Sequence, residues 1–149
     1  IDNLHHDSGI PNNKIIELHG NGTYAKCLNC EKRYELNYIK KFLEEDNNNY
    51  KYPPKCKECS GIIKSATISF GQPMPQKEMK IAEKESIDCD LFIAIGTSLK
   101  VYPAASLPII AKNNGAELVI INREETELDS IANLVVNDEI GKTLSSLKI

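Results

Sequence analysis

Arginine is almost absent from this chain. Only Arg33 and Arg123 occur among the 18 basic residues, which disfavours a surface built to clamp phosphates bidentately. Positive charge is not in excess either. The 21 acidic residues outweigh the 18 basic ones, and the net charge of −3 argues against a basic nucleic-acid footprint. No direct nucleic-acid partner is expected. No run of about 18 apolar residues exists, which excludes a membrane-spanning helix, and no membrane partner is expected. The N-terminal IDNLHHDSG is polar, so no signal peptide is expected there. The first residue is Ile rather than Met, and the chain is expected to be either processed or a piece of something longer. None of the eight glycines falls in a G-x-G-x-x-G pattern, the phosphate loop of a complete dinucleotide fold.

What is present is ordinary for a soluble globular protein. The 149 residues are 41% hydrophobic and 26% charged, enough for one domain, or one domain with a small accessory module. The five cysteines decide more. Cys27 and Cys30 form one C-x-x-C, Cys56 and Cys59 another, with 25 residues between the pairs; Cys89 stands apart. A soluble acidic chain without a secretion signal is expected in a reducing compartment, by default the cytoplasm, where such pairs bind metal more often than they form disulfides. Two knuckles of this kind present four thiolates with tetrahedral reach to one zinc ion, and four ligands fill the site, so the zinc is expected to be structural. Cys89 reads as a buried core thiol.

Three blocks follow from the patterning. Residues 1–22 hold a short apolar segment, Ile15–Leu18, expected as a strand that runs into His19-Gly20-Asn21-Gly22. Residues 23–65 hold the cysteine pairs, a helix expected over 37–45 with Ile39, Phe42 and Leu43 on one face, and a polar stretch at 46–50 expected to be mobile. Residues 66–149 alternate strand and helix. Strands are expected at 66–70, 91–95, 118–121 and 134–136, and helices at 75–84, 104–112 and 140–147. The unbroken apolar run Leu91–Ile95 is the pattern of a strand buried on both faces of a parallel sheet. The fold class is therefore α/β: part of a Rossmann-like, doubly wound parallel sheet, with an inserted small zinc-ribbon module of four cysteines.

Ligands of such sheets bind beyond the carboxyl ends of strands. Three polar clusters are expected at strand ends: His19, Gly96-Thr97-Ser98 and Asn122-Arg123-Glu124. Gly96 would let backbone approach a phosphate or ribose, Thr97 and Ser98 could donate to it, and the next helix would aim its N-terminus there. Asn122 or Glu124 could hold ribose hydroxyls. Each cluster alone also has a plain turn or loop reading; three on one edge of one sheet argue for a site.

The motifs together resemble the sirtuins, the NAD-dependent protein deacylases. They are Ile1-Asp2-x-Leu4 ending in Ser8-Gly9, Glu17-Leu18-His19-Gly20, the two C-x-x-C pairs, Phe70-Gly71-Gln72-x-Met74-Pro75, Gly96-Thr97-Ser98-Leu99-x-Val101-x-Pro103-Ala104, and Ile121-Asn122 with Glu124. The resemblance covers essentially the whole chain, in the family's order. It implies that His19 is the general base acting on a ribose hydroxyl, a task suited to an imidazole. It implies that Asp2 hydrogen-bonds the nicotinamide carboxamide and that Ile1 lines that pocket. Gly96, Thr97 and Ser98 match the loop at the NAD ribose and phosphates, and Asn122, with Arg123 and Glu124 beside it, the adenosine ribose. Phe70 and Gly71 match the segment that pairs with an acyl-lysine peptide or protein substrate, and Val101 the facing side of that cleft. Cys27, Cys30, Cys56 and Cys59 match the ligands of one structural zinc ion.

The departures are specific. Position 72 is Gln where the family often has Glu, Arg123 and residues 138–140 gain no clear adenine contact, and the family's Gly-rich loop, first strand and first helix have no counterpart. The chain is thus expected to be the C-terminal part of a sirtuin, with an apolar sheet edge left open and little activity by itself. Three functions are compatible with these residues. A deacylase releases nicotinamide only with an acyl-lysine peptide and His19. A sirtuin-like mono-ADP-ribosyltransferase would not need the acyl group, and a non-catalytic zinc and nucleotide-binding module would survive His19→Ala. His19, Asp2 and Asn122 in register favour the first.

Overall fold

The computed structural model describes residues 1–45 and 52–147. The chain divides into two compact units, Ile1–Gln76 and Lys77–Ile149. The polar stretch at 46–50 lies outside the described residues.

The first unit is organised by a three-stranded antiparallel sheet of β1 (Gly20–Cys27), β2 (Arg33–Glu35) and β3 (Ile63–Thr67), in the order β2-β1-β3. The central strand pairs Ala25 with Tyr34 on one side and Cys27 with Ile63 on the other. Alternation along β1 sends Ala25 and Cys27 to the same face, where they are buried with Tyr34, Cys56 and Ile63. Near the N-terminus, α1 (Leu4–Asp7) is a single turn whose first N–H, on Leu4, donates to Asp2 Oδ1 at 3.1 Å. Helix α2 (Leu36–Glu45) lays Tyr38 and Ile39 on the buried cluster, so the helix expected at 37–45 is present and half-buries its apolar stripe.

Two expectations for this unit are corrected. Ile15–Leu18 is not a strand: after a 3-10 turn at Asn12–Lys14 it runs without a ladder partner into a turn closed by the Gly20 N–H on the Glu17 carbonyl at 3.1 Å, and pairing starts only at Gly20, where β3 offers a partner. His19 therefore leads into an antiparallel strand and does not follow a parallel one. The strand expected at 66–70 lies earlier, at Ile63–Thr67, because its pairing follows Cys27 and Lys26 of β1. Phe70 and Gly71 sit beyond it, in a turn closed by Gln72 N–H on the Ser69 carbonyl at 3.0 Å.

The second unit is a parallel sheet, β4 (Leu91–Ile95), β5 (Glu117–Ile121) and β6 (Leu134–Val136), in sequence order. Helix α3 (Gln76–Asp88) leads into β4, α4 (Leu107–Asn113) connects β4 to β5, and α5 (Ile140–Ser145) follows β6. Leu118 and Ile120 are fully buried among Ala94, Leu99 and Leu128. From α4, Leu107, Pro108 and Ala111 are buried, with Pro108 in the first turn, where a missing N–H costs no helical bond. Asn133 Oδ1 accepts the Leu118 N–H at 2.9 Å and Lys112 Nζ at 2.6 Å, tying the start of β6 to β5 and α4.

The α/β class and the parallel sheet are as expected. The burial of β4 is not. Phe92 and Ala94 face the core, but Leu91, Ile93 and Ile95 are 50%, 48% and 43% exposed. Among the described residues β4 pairs only with β5, so an apolar run suited to two covered faces has one covered face and an open edge. Cys89 is likewise half-buried rather than a core thiol, its S–H directed to the Ser86 carbonyl at 3.4 Å.

Candidate functional site

The four paired cysteines converge at one end of the antiparallel sheet. Their sulfurs all lie within 4.8 Å of one another, with Cys27 to Cys59 at 3.4 Å and Cys30 to Cys56 at 3.6 Å. A tetrahedral ion with Zn–S distances of about 2.3 Å places its sulfurs about 3.8 Å apart, so the cluster has the size a zinc ion needs. The two knuckles are built alike. In each, a backbone N–H two residues on points at the first sulfur, Asn29 to Cys27 and Glu58 to Cys56, both at 3.4 Å. In each, the residue after the second cysteine is left-handed, Glu31 and Ser60 both at φ 58°. Gly61 completes the second knuckle, because a Cβ there would sit 2.8 Å from Cys27 Sγ.

The electrostatics of the cluster call for a cation. The Cys56 thiol is lowered to about 6, first by the Tyr34 hydroxyl, which donates to it at 3.1 Å. Cys59 is pushed up to about 12: the Gly61 N–H lowers it, but the crowding sulfurs of Cys27 and Cys30 outweigh that. Four thiols this close cannot all ionise without a positive charge among them, and a divalent ion supplies it. The Tyr34 oxygen also accepts the Lys57 N–H at 3.0 Å, so its hydroxyl is aimed at sulfur by the backbone.

At the other end of β1, the first unit contains a cavity of about 240 Å³ lined by Ile1, Asp2, Asn3, His5, His6, Ile16, Glu17, Leu18, His19 and Gly20. Three of the sequence-selected residues, Ile1, Asp2 and His19, thus come together although 16 residues separate Asp2 from His19. The His19 carbonyl accepts the Ile68 N–H at 3.0 Å, which anchors its backbone beside the start of the β1–β3 pairing. Among the described residues no hydrogen bond or ion pair holds its ring. His6 is tied differently: its Nδ1 is 2.9 Å from Asn12 Oδ1 and its Nε2 is 3.5 Å from Glu17. Gly20 is forced by the fold, at φ 68° with the Ala66 carbonyl oxygen occupying the place a Cβ would take.

In the second unit, a cavity of about 550 Å³ opens at the carboxyl ends of β4 and β5. Ser98, Asn122, Arg123 and Glu124 line it, as the sequence suggested, together with Asp138, Glu139 and Ile140, for which no clear adenine contact was expected, and Gly141. Those four were missed because a short Asn-Asp-Glu turn carries no pattern beyond a helix start. Asn122 Nδ2 donates to the Glu124 carbonyl at 2.7 Å, and Arg123 reaches Glu139 at 3.5 Å. The Asp138 carboxyl is held below the usual carboxylate range, chiefly by Lys142 and then by the Glu139 N–H. Gly96 turns at φ 63°, and a Cβ on it would lie 2.8 Å from Ile140 Cδ1. Thr97 Oγ1 accepts the Leu99 N–H at 3.2 Å. The helix expected at 104–112 begins as a 3-10 turn at Ala104–Ser106 and becomes α-helical from Leu107 to Asn113. Phe70 is 96% exposed, Gly71 has φ 83°, and Val101 is exposed in its own unit.

A thiol-stapled antiparallel module carried with a parallel α/β unit whose strand ends are polar defines a narrow class of protein. The Sir2 family model matches residues 1–103. The chain belongs to the Sir2 family. It is 53% identical over 144 residues to an NAD-dependent protein deacetylase 1 of Bradyrhizobium diazoefficiens, covering 97% of this chain and 55% of that protein. Among solved structures, Sir2Tm bound to a propionylated peptide has a TM-score of 0.87 at 38% identity, covering 97% of this chain and 58% of the other. A Sir2 complex with p53 peptide and NAD+ has the same TM-score of 0.87 at 38% identity, covering 97% and 57%. The chain thus spans about half the length of the relatives it matches.

Proposed function

We propose that this chain carries the catalytic base, the structural zinc centre and part of the NAD site of an NAD-dependent protein lysine deacylase. The observation that carries the reading is the cavity of about 240 Å³ that gathers Ile1, Asp2 and His19. NAD, when bound, supplies an electrophilic ribose carbon with nicotinamide as leaving group. The rest is the work of side chains. Asp2 accepts the nicotinamide carboxamide N–H, and Ile1 gives that ring an apolar wall. His19, its ring unengaged among the described residues, takes a proton from a ribose hydroxyl. Gly96, Thr97 and Ser98 meet ribose and phosphate, and Asn122 with Arg123 and Glu124 the adenosine ribose. The acyl-lysine peptide pairs with Phe70–Gly71, and Val101 is a further residue for that substrate. Cys27, Cys30, Cys56 and Cys59 hold one zinc ion, which saturates its coordination and leaves it no catalytic position. In this reading residues 1–22 and 66–149 form the Rossmann-like portion around a zinc module at 23–65, and the protein works in the cytoplasm, where free thiolates persist.

The test is the full-length protein with NAD and an acetyl-lysine peptide, followed by mass spectrometry for nicotinamide, deacetylated peptide and O-acetyl-ADP-ribose. Acyl-dependent turnover that collapses in His19→Ala is the expected result. Nicotinamide release indifferent to the acyl group would move the assignment to ADP-ribosyl transfer. No release at all would leave a binding module.

A further inference from the structure

The Asn21 side chain is 2% exposed and uses all its hydrogen-bonding capacity. Its Nδ2 donates to Asn3 Oδ1 at 3.0 Å and to Glu17 Oε1 at 2.9 Å. Its Oδ1 accepts the Thr23 N–H at 2.8 Å and the Thr23 hydroxyl at 2.7 Å. The residue stands in a bulge: between Gly20↔Thr67 and Ala25↔Ser65, five residue steps on β1 oppose two on β3. That excess releases Asn21 from the ladder and turns its amide toward the N-terminal segment.

We propose that Asn21 is a positioning residue that fixes Asp2 relative to His19. The inference rests on the roles given above to those two residues. Asn3 directly follows Asp2, and Glu17 stands two residues before His19, so one amide ties both ligand-facing segments to the same strand. A second bond runs in parallel, from the Gly22 N–H to the Ile1 carbonyl at 2.7 Å. Asn3 is held to receive the amide, since its own Nδ2 donates to Asp7 Oδ1 at 2.7 Å from a left-handed φ of 71°. Only an amide of this length supplies two donors on one side and an acceptor on the other. A carboxylate in its place would set oxygen against the oxygens of Glu17 and Asn3.

Asn21→Asp in the full-length protein tests this, since it keeps the shape and the acceptor for Thr23. The expected result is a roughly 10- to 100-fold fall in kcat, the scale of a misplacement near 1 Å. Free nicotinamide, titrated by calorimetry, binds about tenfold more weakly or worse, as loss of one oriented hydrogen-bonding group implies. The KM for acyl peptide and the zinc content stay at wild-type values. Adding Glu17→Gln returns a donor to the same contact from the other side and recovers part of the lost kcat. Should Asn21→Asp not fold, Asn3→Gly keeps the left-handed backbone and removes the acceptor for the Asn21 amide, together with the exposed bond to Asp7, and the same split is expected. Parallel losses in kcat, nicotinamide affinity, peptide KM and melting temperature, without recovery on Glu17→Gln, would make Asn21 plain scaffold and overturn the inference. Wild-type kcat in Asn21→Asp would also overturn it. A full-length wild-type protein without acyl-dependent turnover overturns the functional reading and this inference with it.

Discussion

Gly20→Ala separates two costs that are usually confounded. Gly20 and Gly9 both need positive φ, 68° and 85°, but their surroundings differ. A Cβ at Gly9 meets nothing within 4 Å, whereas one at Gly20 would overlap the Ala66 carbonyl oxygen and lie 3.1 Å from Thr67 Cα. Gly9→Ala therefore carries backbone strain alone, about 1 kcal/mol. Gly20→Ala adds a hard overlap with backbone that cannot rotate away, so the start of the β1–β3 pairing must open. The bonds at risk are the Gly20–Thr67 pairing and the Ile68 N–H on the His19 carbonyl. At about 1 kcal/mol net each, the total for Gly20→Ala is about 3 kcal/mol. Urea denaturation of the zinc-loaded full-length variants measures both. The expected outcome is a gap of about 2 kcal/mol between the two alanine variants, together with a loss of kcat confined to Gly20→Ala. Equal midpoints for both variants would refute the reasoning, because overlap with fixed backbone would then carry no cost.

Three further outcomes are expected. Tyr34→Phe removes the hydroxyl that draws the Cys56 thiol down to about 6; the thiol rises, protons compete for it at higher pH, and half-release of zinc on acidification moves to higher pH. Competition with a chelator should show a zinc affinity lower by about 10- to 100-fold, as for other outer partners of metal ligands. Chelation of the zinc should abolish protection in amide exchange across β1 and β3 and stop turnover, although no thiol lies in the cavity around His19. Lys142→Ala should raise the Asp138 titration seen by NMR. Asp138 is held low by Lys142, so its contribution exists above the ordinary carboxylate range and fades as pH falls through the lowered value.

The cysteine spacing, the α2 stripe and the apolar runs of β4 to β6 were legible because each is a strong local signal. The metal site needed only ligand type and interval, and its four sulfurs are gathered as the spacing implied. Ile15–Leu18 misled because apolarity marks burial, not pairing; whether a segment becomes a strand depends on a partner, and β3 meets the chain only from Gly20. The run Leu91–Ile95 states what the strand is suited to pack against, and one of its faces stays open here. Asn21 was invisible for a different reason. An asparagine between two glycines reads as turn chemistry, and its role depends on Asn3, 18 residues away. The cavity of the second unit was half legible: residues at strand ends announce themselves, whereas Asp138–Gly141 enter from the following helix start.

The zinc centre and the candidate base hang on opposite ends of one strand. β1 begins at Gly20, next to His19, and ends at Cys27, a metal ligand. Gly20 and Cys27 face Thr67 and Ile63, four steps apart on β3, so at about 3.3 Å per residue the two ends are about 13 Å apart, beyond a screening length of about 8 Å and too far for the ion's charge to act strongly on the chemistry through solvent. What the centre can transmit is register. Cys27 is paired with Ile63, and the second knuckle precedes β3 directly, so closing four thiolates around one ion locks β1 against β3 at that end. A slip of one residue would turn every β1 side chain to the other face. The bulge that frees Asn21 can exist at the far end only because the near end cannot slide. On this argument the zinc acts at a distance by fixing which residues of β1 lie beside His19, and a module so small, with a core of five buried residues, needs that staple to hold the alignment.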